Sequence, residues 1–377
     1  MDLTTLAAAM LVVLGLLTAD AVRHSGSVAV EVTAPARVFS TVIDQHSLEA
    51  AFTAQLNQIA GTISVVSPPE IRSSDDQGVG MVLAEAANVK PLAFALQHQI
   101  GYNPDHLRFA LFTQDGALRG LVSGDGRIGG AFSQEFAPDK DEKLLTFVRR
   151  CATWGVSQLA PYTTALFLLQ FHAGDGDFRD VEALAAHMIA ALPPAPINDE
   201  RAQFENLLGL VDLFRNDPAA AGKHFQLAAD AWPDGPVPLL NLAFTEIQED
   251  KYAAAAARMR AVLTAFAHAH KAVLGTAHMT LGAALIGLRD FDGAEAELAQ
   301  AVASNPDNSS APELWAELKT ERGDAAGAER LNRQALQNTT SFENFGEMAA
   351  LYFHLSWRDN EPVVRSRFSN PDVVVFH

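Results

Sequence analysis

The sequence predicts a small α+β domain followed by an all-α solenoid of stacked helix hairpins, with an apolar transmembrane or signal segment in front. Three observations predict it: an apolar run over residues 3–22, alternating strand-like and helix-like stretches across residues 27–157, and a turn recurring at repeat distance through residues 158–355. With 377 residues, 40.4 kDa and 49% hydrophobic content, the chain can bury more than one core, at roughly 100–200 residues per domain. Lys and Arg number 27 against 45 Asp and Glu, a net charge of −18. Such a surface repels a phosphate backbone, which argues against nucleic acid as partner. The single cysteine, Cys151, excludes an internal disulfide and a thiolate metal cluster.

Residues 1–24 read as a signal anchor or signal peptide. Leu3 to Val22 has about the length that spans a bilayer, ~20 residues, apolar apart from Thr4, Thr5 and Thr18 and interrupted by Asp20 near one end. Ala19-Asp20-Ala21 has the small-x-small form of a cleavage site behind the apolar stretch Leu11–Leu17. An uncleaved single-span anchor is the other reading. No Lys or Arg precedes the run, while Arg23, His24 and Arg37 lie beyond it, a bias that opposes export of the domain after it. The expectation is a chain anchored in the membrane or exported to a bacterial periplasm, with the side of the membrane left open.

Residues 27–157 alternate between strands and helices. Val28–Val32 reads as a strand, and Ser47 can cap a helix from Leu48 to Ile59 with Phe52, Leu56 and Ile59 on one face. Thr62–Val66 reads as a β-branched strand, Glu70–Gly80 as a polar loop, Val79–Leu83 as an apolar stretch and Pro91–Ile100 as a helix. Leu107–Thr113 is a strand ending at Asp115-Gly116, a hairpin signal because both residues tolerate positive φ. Gly124-Asp125-Gly126 supplies a second turn before Arg127–Phe132. A helix from Asp141 to about Gly155 then carries Leu144, Leu145, Val148 and Cys151 on its apolar stripe. Helices on one face of one sheet is the expected arrangement. The element order is similar to that of the N-terminal domain of TolB, a resemblance that brings no functional residue with it.

Five turns align in residues 158–355: Gly176-Asp177-Phe178, Asn216-Asp217-Pro218, Asp250-Lys251-Tyr252, Arg289-Asp290-Phe291 and Gly323-Asp324-Ala325. Their spacings are 40, 34, 39 and 34 residues, and Val181, Ala221, Ala255, Ala294 and Ala328 stand at one fixed offset after them. Leu208-Gly209, Ala221, Phe225, Ala228 and Pro233 form one unit. Leu242-Ala243, Ala255, Met259 and Val262 form a second, and Leu281-Gly282, Ala294, Leu298, Ala301 and Pro306 a third. A fourth has Ala316, Gly323, Ala328 and Ala335, with Asn332 where a large apolar residue is expected; a degenerate unit over 160–193 precedes them. In this the chain resembles the tetratricopeptide repeat family, whose unit is ~34 residues of helix–turn–helix. A small residue on the first helix lets the second approach closely, and each hairpin stays apolar on one side until the next covers it. A five-residue insert around Ala267–Lys271 lengthens one connection. Asn344–Leu355, with Phe345, Met348, Leu351 and Tyr352, reads as a terminal capping helix, and residues 356–377 as a tail.

The remaining motifs give catalysis no support. Gly124 to Gly129 matches a dinucleotide fingerprint, but no helical run opens after it, so a hairpin turn is the better reading. Asp175, Asp177 and Asp180 lack the alternating ligands and distal Glu of a calcium loop. His268 and His270, two apart, face different sides of a helix, and His278 lies on the next. No catalytic residue, metal site or cofactor is expected.

What remains is recognition. The resemblance implies a groove lined by the first helix of each pair, receiving a protein or peptide. Asn206, Asn241, Glu246, His278 and Glu317 are the candidate polar contributors, each equally readable as an ordinary solvated helix residue. The apolar end Val373-Val374-Val375-Phe376 is expected to pack on the last helices or the groove, as structural cover or as a built-in competitor. The function read from all this is a non-catalytic membrane-associated scaffold for protein partners. The alternative is a sensory or regulatory protein whose α+β domain binds a small ligand and signals through the array.

Overall fold

The computed structural model describes residues 27–34, 45–60, 70–73, 105–126, 130–192, 197–306 and 310–338. The apolar segment 3–22, the expected elements over 62–66, 79–83 and 91–100, the expected capping helix 344–355 and the tail 356–377 lie outside the described residues. Among those described, no helix is long and apolar enough to cross a membrane. The chain divides into two compact units at Thr164/Ala165.

The first unit is built on a five-stranded sheet in the order β2-β1-β3-β4-β5. Its strands are β1 (Ser27–Thr33), β2 (Glu70–Ser73), β3 (Asp105–Gln114), β4 (Ala117–Gly126) and β5 (Gly130–Phe136). β1 runs parallel to both β2 and β3, while β3, β4 and β5 form an antiparallel meander. Alternation along β1 and β3 turns Val28, Val30, Val32, Leu107, Phe109 and Leu111 inward, and all six are buried. They meet α1 (Gln45–Ala60) and α2 (Leu144–Leu159), which contact each other and the same strands. Phe52 of α1 stacks on Phe109 at 4.7 Å between ring centres. The opposite alternation set is charged: Arg108 meets Glu31 at 3.1 Å and Arg119 meets Glu135 at 3.6 Å.

Three expectations for this unit need correction. The polar loop begins with a strand instead, since Glu70–Ser73 pairs with Ser27–Val30; four residues carry too little periodicity to announce themselves. Gly124-Asp125-Gly126 is strand rather than turn, because β4 continues to Gly126 and pairs with β5 from Gly130. The helix expected from Leu48, with Ser47 as its cap, begins at Gln45, so Ser47 lies inside its first turn. Asp115 and Gly116 do adopt φ of 52° and 78°, as a tight primed turn requires.

α3 (Pro161–His172) spans the division between the units, and α4 (Arg179–Ala191) comes after it. Four hairpins then succeed one another: α5 (Asp199–Phe214) with α6 (Pro218–Ala231), α7 (Pro236–Gln248) with α8 (Tyr252–Ala265), α9 (Lys271–Gly287) with α10 (Phe291–Ser304), and α11 (Ser310–Glu321) with α12 (Ala325–Asn338). Each helix packs on the next through the series, and α7 also touches α9 and α9 touches α11. This is a tetratricopeptide-like stack. Gly209 and Gly282 show why: a Cβ at Gly209 would sit 2.5 Å from the Phe225 ring, and one at Gly282 2.8 Å from Leu298. The absence of a side chain on the first helix is what lets the large residue of the second close against it.

The five aligned turns share one conformation. Gly176, Asn216, Asp250, Arg289 and Gly323 all have positive φ, between 59° and 80°. After them Asp217 caps α6 by accepting from Ala220 N–H, and Asp290 and Asp324 accept in the same way from Gly293 and Gly327. A β-carbon in the left-handed region is costly, and Arg289 bears that cost without a short polar side chain to offset it. Arg289→Gly is expected to stabilise the array by about 0.5–1 kcal/mol after the added unfolded-state entropy is subtracted. A lower midpoint in urea for this variant would contradict the shared turn geometry.

Candidate functional site

Among the first helices, α7 touches α9 and α9 touches α11, while α5 meets α7 through the candidate residues themselves. Asn206 of α5 and Asn241 of α7 come together: the Asn241 amide donates from Nδ2 to Asn206 Oδ1 at 2.8 Å. They are only 7% and 2% exposed, and Asn241 Oδ1 finds no hydrogen-bond partner among the described residues. The pair ties neighbouring first helices across the seam between two repeats.

Glu246 and His278 are spent within their own hairpins. Arg258 of α8 donates to Glu246 from both Nε and Nη2, at 3.1 and 2.6 Å. His278 Nδ1 lies 2.7 Å from Glu297 Oε2 of α10. His268 lies in the turn after α8 and His270 immediately precedes α9. Glu317 stands exposed on α11. Of the five, then, two meet each other, two meet second-helix partners and one lies at the surface.

Inspection of single residues missed a repeating polar pair between the helices of a hairpin. Glu205 meets His224 Nδ1 at 2.9 Å, and the equivalent positions of a later unit carry the pair with its residues exchanged, His278 with Glu297. The signal was present: Glu205 and His278 each stand four residues before a repeat glycine, and His224 and Glu297 each stand just before the large apolar residue. The next junction is also ionic. Lys319 of α11 contacts both Glu295 and Asp324, and Arg322 reaches Asp292 and Glu295 at 2.8 and 3.1 Å.

Because an ionised carboxylate only accepts, His224 donates its Nδ1 proton to Glu205. That hydrogen bond, outweighing partial burial, raises the His224 pKa, with the charges of Glu205 and Asp212 adding to it. A group that binds its proton more tightly when folded contributes its full stabilisation below the ordinary histidine range and loses it as pH rises through the raised value. The array is therefore expected to lose a little stability between about pH 6 and 8, less than about 1 kcal/mol since the imidazole is partly solvated. His224→Gln should flatten that part of the profile; an unchanged slope would show that the pair is not what titrates.

The other chemical groups have structural employment. Asp177 is held well down, to about 2, by Arg179, and Asp175 accepts from the Asp177 amide and sits 3.1 Å from His172, so the imagined calcium loop is a closed turn. Burial pushes the Cys151 thiol up to about 12, in keeping with an inert core residue. Arg150 donates to Glu142 and to the Ala137 carbonyl while lying over the Phe147 ring, which fixes the approach to α2. Among the described residues, no group of three or more His, Cys, Asp or Glu could hold a metal ion.

No protein-family model matches the chain, and no curated protein matches it. Among solved structures, MamA of MSR-1 is 16% identical, with 48% of this chain and 97% of that chain covered and a TM-score of 0.32. MamA of AMB-1 is 18% identical, with 45% and 95% covered and a TM-score of 0.33. At such scores neither likeness carries an argument, and the repeat fold rests on the hairpins themselves.

Proposed function

We propose that this chain is a non-catalytic scaffold that holds a protein or peptide partner along the wall of α5, α7, α9 and α11, with residues 3–22 tying it to a membrane or directing its export. The observation that supports this reading is the stack itself: four successive hairpins, with α7 touching α9, α9 touching α11, and α5 joined to α7 through Asn206 and Asn241. Glu205, Glu246, His278 and Lys319 each meet an opposite partner on another helix. A wall of this kind recognises by shape and hydrogen bonding over many residues, as helix and extended-peptide docking do. The charge of −18 favours a basic or neutral partner.

The test is affinity capture from membranes with the full chain, beside a variant carrying Gln203→Arg, Gln248→Arg and Glu317→Arg. These positions lie on three first helices and none is fully buried. The captured partner should drop at least about tenfold, the effect of losing 1.4 kcal/mol of binding, with melting unchanged. Equal capture by both forms, or capture that maps to residues 27–157, would remove the proposal.

A further inference from the structure

Among the described residues, nothing pairs with the outer side of β5, which ends the order β2-β1-β3-β4-β5. Ala131, Ser133, Gln134 and Glu135 along it are exposed. Natural sheet edges are shielded from further pairing by brevity, lysine, proline or a bulge. β5 runs for seven residues, Gly130–Phe136, with no lysine or proline among them. Its register with β4 passes from Gly120↔Phe136 to Gly126↔Gly130 without a skipped residue, so it carries no bulge.

Which backbone groups point off that edge follows from the ladder. The two-residue turn at Asp115-Gly116 makes Gln114↔Ala117 a hydrogen-bonded pair, and such pairs then alternate along β3 and β4. Odd-numbered residues of β4 therefore bond to β3. Gly120, Val122, Gly124 and Gly126 bond to Phe136, Gln134, Phe132 and Gly130 of β5. The amide and carbonyl of Ala131, Ser133 and Glu135 are left directed outward. Two side-chain contacts agree with this: Gln134 Nε2 donates to the Glu135 carbonyl at 3.0 Å and Arg150 Nη2 to the Ala137 carbonyl at 2.9 Å, both in the outward set.

We propose that β5 pairs antiparallel with β5 of a second copy of this chain, about a two-fold axis at Ser133, so that two sheets become one. Centred there, Ala131 faces Glu135 of the second copy, and the three outward residues on each side exchange six backbone hydrogen bonds. Moving the centre to Phe132 sets Glu135 against residue 129, ahead of the strand. Moving it to Gln134 calls on the Ala137 carbonyl that Arg150 holds. Charge favours the same register: Glu135 is the one ionisable residue of β5, and it meets an alanine rather than its own copy. So does side-chain shape. Within the chain Phe132 and Phe136 lie across from Gly124 and Gly120, with Trp154 edge to face at 5.9 and 5.4 Å. Across the axis Phe136 again faces a glycine, Gly130 of the second copy, an arrangement in which a ring shields bare strand backbone. Pairing exchanges the Gln134 contact on the Glu135 carbonyl for a backbone hydrogen bond.

The test is sedimentation equilibrium of the full chain in density-matched detergent at low salt, where a dimer is expected. Ser133→Pro removes an outward N–H that β4 does not use, so the melting midpoint should hold while the Kd for pairing rises at least about tenfold. Ala131→Lys sets a cation against Glu135 of the second copy, twice by symmetry, and should tighten pairing about threefold. Ser133→Lys brings two cations together on the axis and should weaken it about threefold. Neither lysine touches the β3-β4-β5 ladder, so their opposite signs decide the matter even if the proline lowers the melting midpoint. A chain that stays single, a dimer unmoved by Ser133→Pro, or lysine effects that are absent or share a sign would each overturn the inference.

Discussion

Phe225→Ala is expected to cost the array about 3–5 kcal/mol, enough to consume much of the stability of an ordinary domain. The ring is fully buried, and its edge lies where a Cβ of Gly209 would stand. Truncation removes its transfer energy and leaves a void that the backbones of α5 and α6 cannot collapse to fill, because they are already close. The glycine supplies an internal control. With Phe225 present, Gly209→Ala forces the ring to move and should destabilise by about 1–3 kcal/mol. With Phe225→Leu, the obstacle shrinks and the helix-propensity gain of about 1 kcal/mol should emerge, reversing the sign. Denaturation of the four proteins closes the cycle; additive effects would mean that glycine and ring are not a matched pair.

Gly124→Val should be the most damaging single change in the α+β unit, at about 3 kcal/mol or more. A Cβ there would stand 2.2 Å from the backbone carbonyl of His106 and 2.4 Å from the Phe132 ring. A ring could swing aside, but a paired strand's backbone cannot yield without breaking the register between β3 and β4. Gly124 pairs with Phe132, whose ring reaches on to Trp154 at 5.9 Å, edge to face. The glycine that fits a nucleotide-binding fingerprint in sequence is thus the place where an aromatic side chain crosses the strand. The check is the melting transition of this unit, with Ser123→Val, which is not fully buried, as the neighbouring control. A destabilisation below about 1 kcal/mol, near the effect of an ordinary surface substitution, would contradict the geometry.

The repeat region was readable because its rules are local. The small residue, the large residue and the turn lie within one hairpin, and the four units expected from Leu208-Gly209 onward match the hairpins α5–α6, α7–α8, α9–α10 and α11–α12. The positive φ at Arg289 was not readable from its residue type, since arginine has no preference for it; only alignment with Gly323 and Asn216 points there. In the α+β unit, β2 escaped notice because its pairing with β1 is non-local. The end of β4 was misplaced because glycine marks both a turn and a close approach, and the chain alone does not say which.

The sequence by itself determined a strongly acidic chain with a single cysteine, an alternating α+β region and helix hairpins at a repeat spacing, since composition, periodicity and turn residues act over a few neighbours. Only the tertiary structure decided that Asn241 reaches back to Asn206, that Glu246 and His278 are taken by Arg258 and Glu297, and that Gly124 sits beneath Phe132. Those contacts join residues well separated along the chain, and which of several possible partners a side chain meets is settled by how the backbones pack.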